Sequence, residues 1–366
     1  MKFSINREYL LKPLQQVAAV VEKRQTLPVL SNVLLEVSNG QLSMTGTDLE
    51  LELVARLPLE GEFLEGETTV PAKKLVDIAK SLPAEADIRF ELDGERMLVR
   101  SGRSRFTLSV LPASEFPNLE EESAGNRFEI APTVLRNLID RTAFSMAQQD
   151  VRYYLNGMLF ELTSGRLRTV STDGHRLALC DAELVSPVDE VSVILPRKGV
   201  MELSRILGDA GESVQLSIGR NHVRIVVGPI TFTSKLVDGK FPDYERVIPR
   251  EGSRHVVADR ETLRQALTRV AILSNEKFRG VRVQLSEASF RIVANNPEQE
   301  EAEEEVSVDF SGSPLEIGFN VSYLLDVLNN MSGPQVDIEL GDSNSSALIS
   351  DPENKGALYV IMPMRL

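Results

Sequence analysis

Gly46-Thr47-Asp48-Leu49-Glu50 is the stretch on which the reading of this chain turns, because it returns twice in altered form. It comes back as Ser171-Thr172-Asp173-Gly174-His175 and again as Ala294-Asn295-Asn296-Pro297-Glu298. Other markers share the step. Val70-Pro71-Ala72-Lys73-Lys74-Leu75 recurs as Leu195-Pro196-Arg197-Lys198-Gly199-Val200, and more weakly as Phe319-Asn320-Val321-Ser322-Tyr323-Leu324. Phe116-Pro117-Asn118-Leu119 recurs as Phe241-Pro242-Asp243-Tyr244. A shared offset of roughly 125 residues is too long for a solenoid unit and indicates whole domains in tandem. The expected divisions are residues 1–124, 125–252 and 253–366. Three similar domains in a row suggest that function resides in the assembled shape, with any single site secondary.

Within one repeat the pattern is a short strand, a helix and alternating segments, and then the series starts again. The opening strands are Lys2-Phe3-Ser4-Ile5, Arg127-Phe128-Glu129-Ile130 and His255-Val256-Val257. Helices are predicted over 7–20, 72–81, 133–145, 197–207, 260–271 and 321–330. Leu135, Leu138, Ile139 and Thr142 recur at helical spacing, as do Leu263, Leu267 and Val270. Asp259 can accept from free N–H groups at a helix start, and Pro132 suits a first turn. Asn39-Gly40 sits between two alternating runs as a hairpin turn, and Ser164-Gly165 repeats it. Each domain reads as two copies of one helix plus several strands, a two-layer α+β fold with antiparallel sheets. The polar stretches 120–126 and 249–253 read as linkers.

The 366 residues fit two or three domains, each able to bury its own core. No apolar run follows the N-terminal Lys2, and none approaches the length of a membrane span. Cys180 is the single cysteine and lies in the apolar Leu177-Ala178-Leu179-Cys180, so a buried structural thiol and a reducing, cytoplasmic setting are expected. The formal net charge of −14 argues naively against nucleic acid. Its distribution argues otherwise: the predicted helices together carry about +7, so the strands and loops hold the excess negative charge. A field segregated in this way draws an anion to one surface and repels it from the rest.

No catalytic constellation stands out. His175, His222 and His255 are scattered without metal-ligand spacing. His175 beside Asp173 could be half of a hydrolytic pair, but no G-x-S-x-G elbow, P-loop or G-x-G-x-x-G accompanies it. No cofactor and no metal are expected. The acidic run from Glu298 to Glu305 reads as a solvated strand face, a cation site, or one half of an interface with the basic hairpin Arg96, Arg100, Arg103 and Arg105. Opposite charges near opposite ends of a chain suit head-to-tail ring closure. Tyr153-Tyr154 after Gln148-Gln149-Asp150-Val151-Arg152 mixes aromatics, amides and a base that can stack and reach phosphates, although tyrosines near a strand start more often pack. The terminal Met362-Pro363-Met364-Arg365-Leu366 either plugs a core or lines an adaptable peptide groove.

Taken together, these segments resemble the bacterial sliding clamps, the beta subunits of DNA polymerase III. The resemblance is carried by residues 10–16, 46–50, 95–106, 149–157 and 235–244, by Thr172-Asp173-Gly174-His175-Arg176-Leu177, by Ser274-Asn275-Glu276-Lys277-Phe278-Arg279-Gly280 and by the terminal five residues. It spans essentially the whole chain. It implies a ring of two chains and six domains, with helices lining a central hole, that encircles duplex DNA without reading sequence and tethers polymerases. Geometry is compatible: twelve helices at about 10 Å spacing give a circumference of roughly 120 Å and an opening near 28 Å, enough for a duplex.

The resemblance also implies residue roles. Arg24, Lys73, Gln149, Tyr153 and Tyr154 match duplex-contacting positions. Leu155, Thr172, Gly174, His175, Arg176, Leu177, Pro242, Arg246, Val247, Val360, Met362, Pro363, Met364 and Arg365 match a groove for short peptides of the replicative polymerase, the clamp loader, other polymerases and repair proteins. Phe106, Leu108, Ile272 and Leu273 match the centre of the subunit interface, rimmed by Lys74, Arg96, Arg103 and Arg105 against Glu298, Glu300, Glu301 and Glu304. Two other classes stay open on residues alone: a hydrolase using Asp173 and His175, and a peptide-binding scaffold that holds no DNA.

Overall fold

The computed structural model describes residues 1–21, 27–117, 119, 125–163, 165–185, 188–208, 213–249 and 252–365. Among them the six predicted helices all form: α1 (Arg7–Ala19), α2 (Ala72–Ser81), α3 (Pro132–Thr142), α4 (Arg197–Leu207), α5 (Arg260–Val270) and α6 (Val321–Asn330). Their starts follow local chemistry. Asn6 caps α1 by accepting from Glu8 N, Asp259 caps α5 through Thr262 N, and Asn320 caps α6 through Ser322 N. Pro132 opens α3, where its missing N–H costs nothing. The predicted ends at 145 and 271 fall in short 3-10 turns, Ala143–Ser145 and Ala271–Leu273, that tighten α3 and α5. Among the described residues no helix is long and apolar enough to cross a membrane.

The chain divides into two compact units, and strands of the middle repeat contribute to both. In the first unit (residues 1–133 and 201–236), one sheet has eight strands. Gly66–Pro71, Asn32–Ser38, Gln41–Thr47 and Leu51–Pro58 form one half; Ile230–Lys235, His222–Val227, Val214–Ile218 and Asn126–Ile130 form the other. The halves join where Leu53 faces Phe232 across antiparallel strands. A second sheet of four strands, Lys2–Asn6, Asp87–Asp93, Arg96–Ser101 and Ser104–Ser109, ends on Ser104–Ser109 as a free edge. The Asn39-Gly40 turn has φ of 51° and 73°, the mirror-image geometry that its sequence predicts. Helix α1 packs on α2 and on two strands of the larger sheet, burying Leu10, Leu14 and Val17 at about 1.5–3 kcal/mol each. It approaches so closely that a Cβ on Gly46 would lie 2.5 Å from Val17 O.

The second unit (residues 134–200 and 237–366) repeats the plan. Its eight-stranded sheet joins Val191–Pro196, Gly157–Thr163, Arg166–Thr172 and Arg176–Glu183 to Asn354–Ile361, Ala347–Asp351, Gln335–Leu340 and Arg254–Asp259. Here the joint pairs Leu177 with Val360 and Ala178 with Tyr359. Its four-stranded sheet, Glu301–Ser307, Ser289–Asn295, Gly280–Ser286 and Leu315–Asn320, ends on the acidic Glu301–Ser307 as a free edge. Helix α5 covers that sheet beside α6. Cys180 is buried, and burial pushes its thiol up to about 11, as expected for a structural cysteine.

Candidate functional site

The turn that repeats in sequence also repeats in hydrogen bonds. Thr172 Oγ1 donates to Arg176 O at 2.6 Å and accepts from Gly174 N at 3.1 Å. Asp173 Oδ1 accepts from His175 N and Arg176 N at 2.9 and 3.1 Å. Thr47 and Asp48 make the same four bonds around Leu49, Glu50 and Leu51. Side-chain oxygens satisfying nearby backbone groups build this turn locally, which is why it is visible in sequence. The third residue takes a left-handed φ in both copies, 77° at Leu49 and 87° at Gly174.

In the second unit this turn forms one wall of an apolar groove of about 200 Å³. Leu155, Leu177, Tyr244 and Val360 are buried and lie along it, while Val247 and Met362, each about half exposed, stand at its rim with Pro242. Leu177 and Val360 face each other at the sheet joint, so the floor exists only because the strand ending at Ile361 pairs with the one starting at Arg176. Beneath it, Leu159, Val170, Leu179, Ile194 and Phe241 continue into the core. Tyr244 is pinned from below: its hydroxyl donates to Glu161 Oε2 at 2.7 Å and accepts from Arg168 at 3.1 Å. Arg168 in turn grips Asp181 with two bonds of 2.6 and 2.8 Å. Burial pushes the Tyr244 phenol up to about 12, so it stays a neutral donor. An apolar floor with a few polar groups at the rim suits a short peptide with apolar side chains.

Of the fourteen residues expected in the groove, nine line it: Leu155, Thr172, Gly174, Arg176, Leu177, Pro242, Val247, Val360 and Met362. Arg176 lines it differently from expectation. Its guanidinium is committed elsewhere, to Asp173 at 3.0 Å, Asp326 at 2.5 Å and Phe144 O at 2.7 Å, above the Tyr323 ring at 4.4 Å. It fastens the turn to α6 and leaves the apolar stem to the groove. His175 is exposed beside the lining residues and gives its carbonyl to Met362 N at 3.0 Å. Arg246 is exposed and pairs with Asp243 at 2.6 Å. Pro363 is partly buried, Met364 hydrogen-bonds Gly318 O at 2.8 Å, and Arg365 is exposed, so the tail runs out of the groove along another strand.

Sequence reasoning missed Arg152, Asp243, Tyr244 and Ser346 as lining residues and assigned Tyr154, which lies in the groove, to DNA. Arg152 reaches across the Gly174 turn, bonding Asp173 O at 3.2 Å and Asp150 at 2.9 and 3.0 Å. That guanidinium holds the Asp150 carboxyl down to about 2. The Asp-x-Arg spacing at 150–152 was the available signal; Ser346 gave none, because only strand order brings it there. Lys73, Gln149 and Tyr153 are exposed, and Arg24 lies outside the described residues.

Among the interface expectations, Ile272 is 76% exposed at the end of α5, so it does not fill its own core. Leu273 and Phe106 are half-buried, whereas Leu108 is already buried on the core face opposite Met97. Lys74, Arg96, Arg103, Arg105, Glu298, Glu300 and Glu301 are exposed. Glu304 is held within the chain by Arg269 at 2.6 Å.

Family models described as the DNA polymerase III beta subunit N-terminal, central and C-terminal domains match residues 1–120, 129–243 and 245–365. The chain is 60% identical to the beta sliding clamp of Pseudomonas aeruginosa and 55% identical to that of Escherichia coli, each over the full length of both chains. A crystal structure of the Pseudomonas aeruginosa clamp bound to griselimycin superposes with a TM-score of 0.98 over all of both chains. The Caulobacter crescentus clamp, 40% identical, superposes at 0.96 to 0.95 with the same coverage within a hundredth.

Proposed function

The chain belongs to the DNA polymerase III beta subunit family, the bacterial sliding clamps, and from that premise we propose that two copies close into a ring around duplex DNA and hold polymerases there through the groove. The protein serves as a processivity factor and acts as a tether, without chemistry of its own. Three tandem clamp domains, divided near residues 124 and 252, make each half of the ring.

The observation that carries closure is the symmetry of the sheets. Each eight-stranded sheet is two four-stranded halves joined edge to edge, and two halves remain unjoined, one ending on Ser104–Ser109 and one on Glu301–Ser307. Antiparallel pairing of these edges between two copies makes the missing eight-stranded sheets. At the filled joints the aromatic residues Phe232 and Tyr359 are fully buried, and Phe144 of the turn after α3 packs 5.8 Å from Tyr359. Phe106 at the free edge and Ile272 in the turn after α5 are their unpaired counterparts. Charge agrees. Arg89, Arg100 and Arg105 lie side by side across three strands, an arrangement that repels unless anions cover it. Glu301, Glu303 and Glu305 project from the other edge, Glu303 already gripped by Arg291 at 2.6 Å. Glu298 and Glu300 against Lys74, Arg96 and Arg103 extend the rim.

Arg24, Lys73, Gln149 and Tyr153 are the proposed duplex contacts, weak and independent of sequence so that the ring slides. The groove offers one peptide site per chain, for which polymerase, loader and repair proteins compete. The test is retention on circular DNA after loading, compared with the same DNA linearised. The full chain should stay on the circle and run off the linear form. A chain lacking residues 362–366 should remain a dimer that, once placed on the circle, is retained, because its last strand ends at Ile361, but should no longer bind a labelled polymerase peptide. Equal retention on both DNAs would refute encirclement; unchanged peptide affinity would refute the groove.

A further inference from the structure

His255 lies on the edge strand Arg254–Asp259 directly opposite Glu339 of Gln335–Leu340, and Asp337 faces Val257 two residues along. Strand alternation sends Val256, Ala258, Val336 and Ile338 into the core and turns His255, Asp337 and Glu339 to the opposite face. The imidazole Nδ1 is 3.8 Å from Asp337 Oδ1 and 3.9 Å from Glu339 Oε1. One donor atom from each of the three residues lies within 4.8 Å of the others. Two further facts set this group apart from an ordinary surface ion pair. Asp337 Oδ1 itself is shielded from solvent and has no hydrogen-bond partner among the described residues, although the Asp337 side chain as a whole is 26% exposed. Asp337 and Glu339 are neighbours on one strand face, and among the described residues the ion pairs recorded for both are to His255. Two repelling carboxylates and one orphaned acceptor converge on one imidazole nitrogen.

We propose that His255, Asp337 and Glu339 form a binding site for a divalent cation of the zinc class, with a water or an external donor completing the coordination. A cation supplies what the protein does not, a partner for the buried oxygen and positive charge between the two carboxylates. One imidazole nitrogen with two carboxylate oxygens is a donor set for Zn²⁺ or its transition-metal neighbours, whereas Mg²⁺ and Ca²⁺ favour oxygen alone. Donors around tetrahedral zinc sit roughly 3.3–3.6 Å apart given bonds near 2.0–2.2 Å, so side-chain rotation must bring each carboxylate about half an ångström closer to the imidazole and draw the two carboxylates together from a separation of up to 4.8 Å. The bound ion clips the edge strand to its neighbour. No sequence spacing advertises this site, because strand pairing alone brings position 255 to 337 and 339.

The test uses the full chain stripped with EDTA, then titrated with Zn²⁺ and, in parallel, Mg²⁺ by calorimetry at neutral pH. One equivalent of Zn²⁺ per chain is expected, with Mg²⁺ at least a hundredfold weaker. His255→Ala and the isosteric Asp337→Asn should each weaken Zn²⁺ at least tenfold. Zinc should raise the thermal midpoint of the parent and leave that of either variant unchanged. Absence of saturable Zn²⁺ binding, or binding that survives both substitutions, would overturn the site; Mg²⁺ binding as tight as Zn²⁺ would overturn the assigned metal class.

Discussion

Gly174 shows how much one residue of the groove wall decides. Its φ of 87° costs a side chain about 1–2 kcal/mol, and a Cβ there would stand 2.9 Å from both terminal nitrogens of Arg152. Leu49 occupies the equivalent position at φ 77°, so the turn itself tolerates a side chain. The difference is Arg152. We therefore expect Gly174→Ala to destabilise the protein by about 1–2 kcal/mol in denaturant unfolding and also to swing Arg152 off Asp173. Peptide affinity should fall severalfold, read by fluorescence anisotropy; unchanged affinity would mean that Arg152 placement does not shape the groove. The turn was legible in sequence because Thr172 and Asp173 bond residues two to four positions away. The role of Arg176 was not, because its partners Phe144 and Asp326 are 32 and 150 residues distant.

At the scale of elements, helix positions were readable from apolar spacing and caps, since both are local. Sheet order was not. Nothing in the pattern of Asn354–Ile361 says that it pairs with Arg176–Glu183, yet that pairing lays down the groove floor. The loop carrying Phe241 and Tyr244 is tied to this sheet by the Arg168, Asp181, Glu161 and Tyr244 network. Arg168→Met keeps much of the stem but leaves the Tyr244 hydroxyl with one partner and Asp181 with Arg166 alone, 3.6 Å away. Losing one side of a partly buried pair should cost about 2–3 kcal/mol, discounted from a fully buried case because Arg166 remains. Tyr244→Phe removes one hydrogen bond, about 1 kcal/mol, and keeps the ring in the floor. Peptide affinity should drop roughly tenfold in the first variant and hold within about twofold in the second. The reverse order would show that the hydroxyl contacts the peptide directly and that Arg168 has no positioning role.

At the scale of the whole molecule, the tandem repeat was the clearest message of the sequence, and the two open sheet edges are its structural remainder. What the sequence did not convey is that Glu304 is already paired with Arg269 within the chain, so its charge is partly neutralised before any partner arrives, which favours the apolar centre in the proposed closure. On the proposed closure, Phe106, half-buried, and Ile272, exposed, would supply most of the association energy: about 25 cal/mol per Å² of apolar surface withdrawn from water outweighs rim pairs worth about 0–1 kcal/mol each. Two consequences follow for association. Raising salt from 0.1 to 1 M should weaken the dimer by less than about tenfold, because screening acts on the rim alone. Ile272→Ala together with Leu273→Ala should instead yield a folded monomer at micromolar concentration, seen by sedimentation, that still unfolds cooperatively, at a midpoint lowered by the lost association and the half-buried Leu273 rather than by Ile272, which is exposed. That monomer should keep its peptide groove, which lies in the second unit, and lose retention on circular DNA. A double variant that stays dimeric at nanomolar concentration would place the closure elsewhere, and the free edges would need another partner.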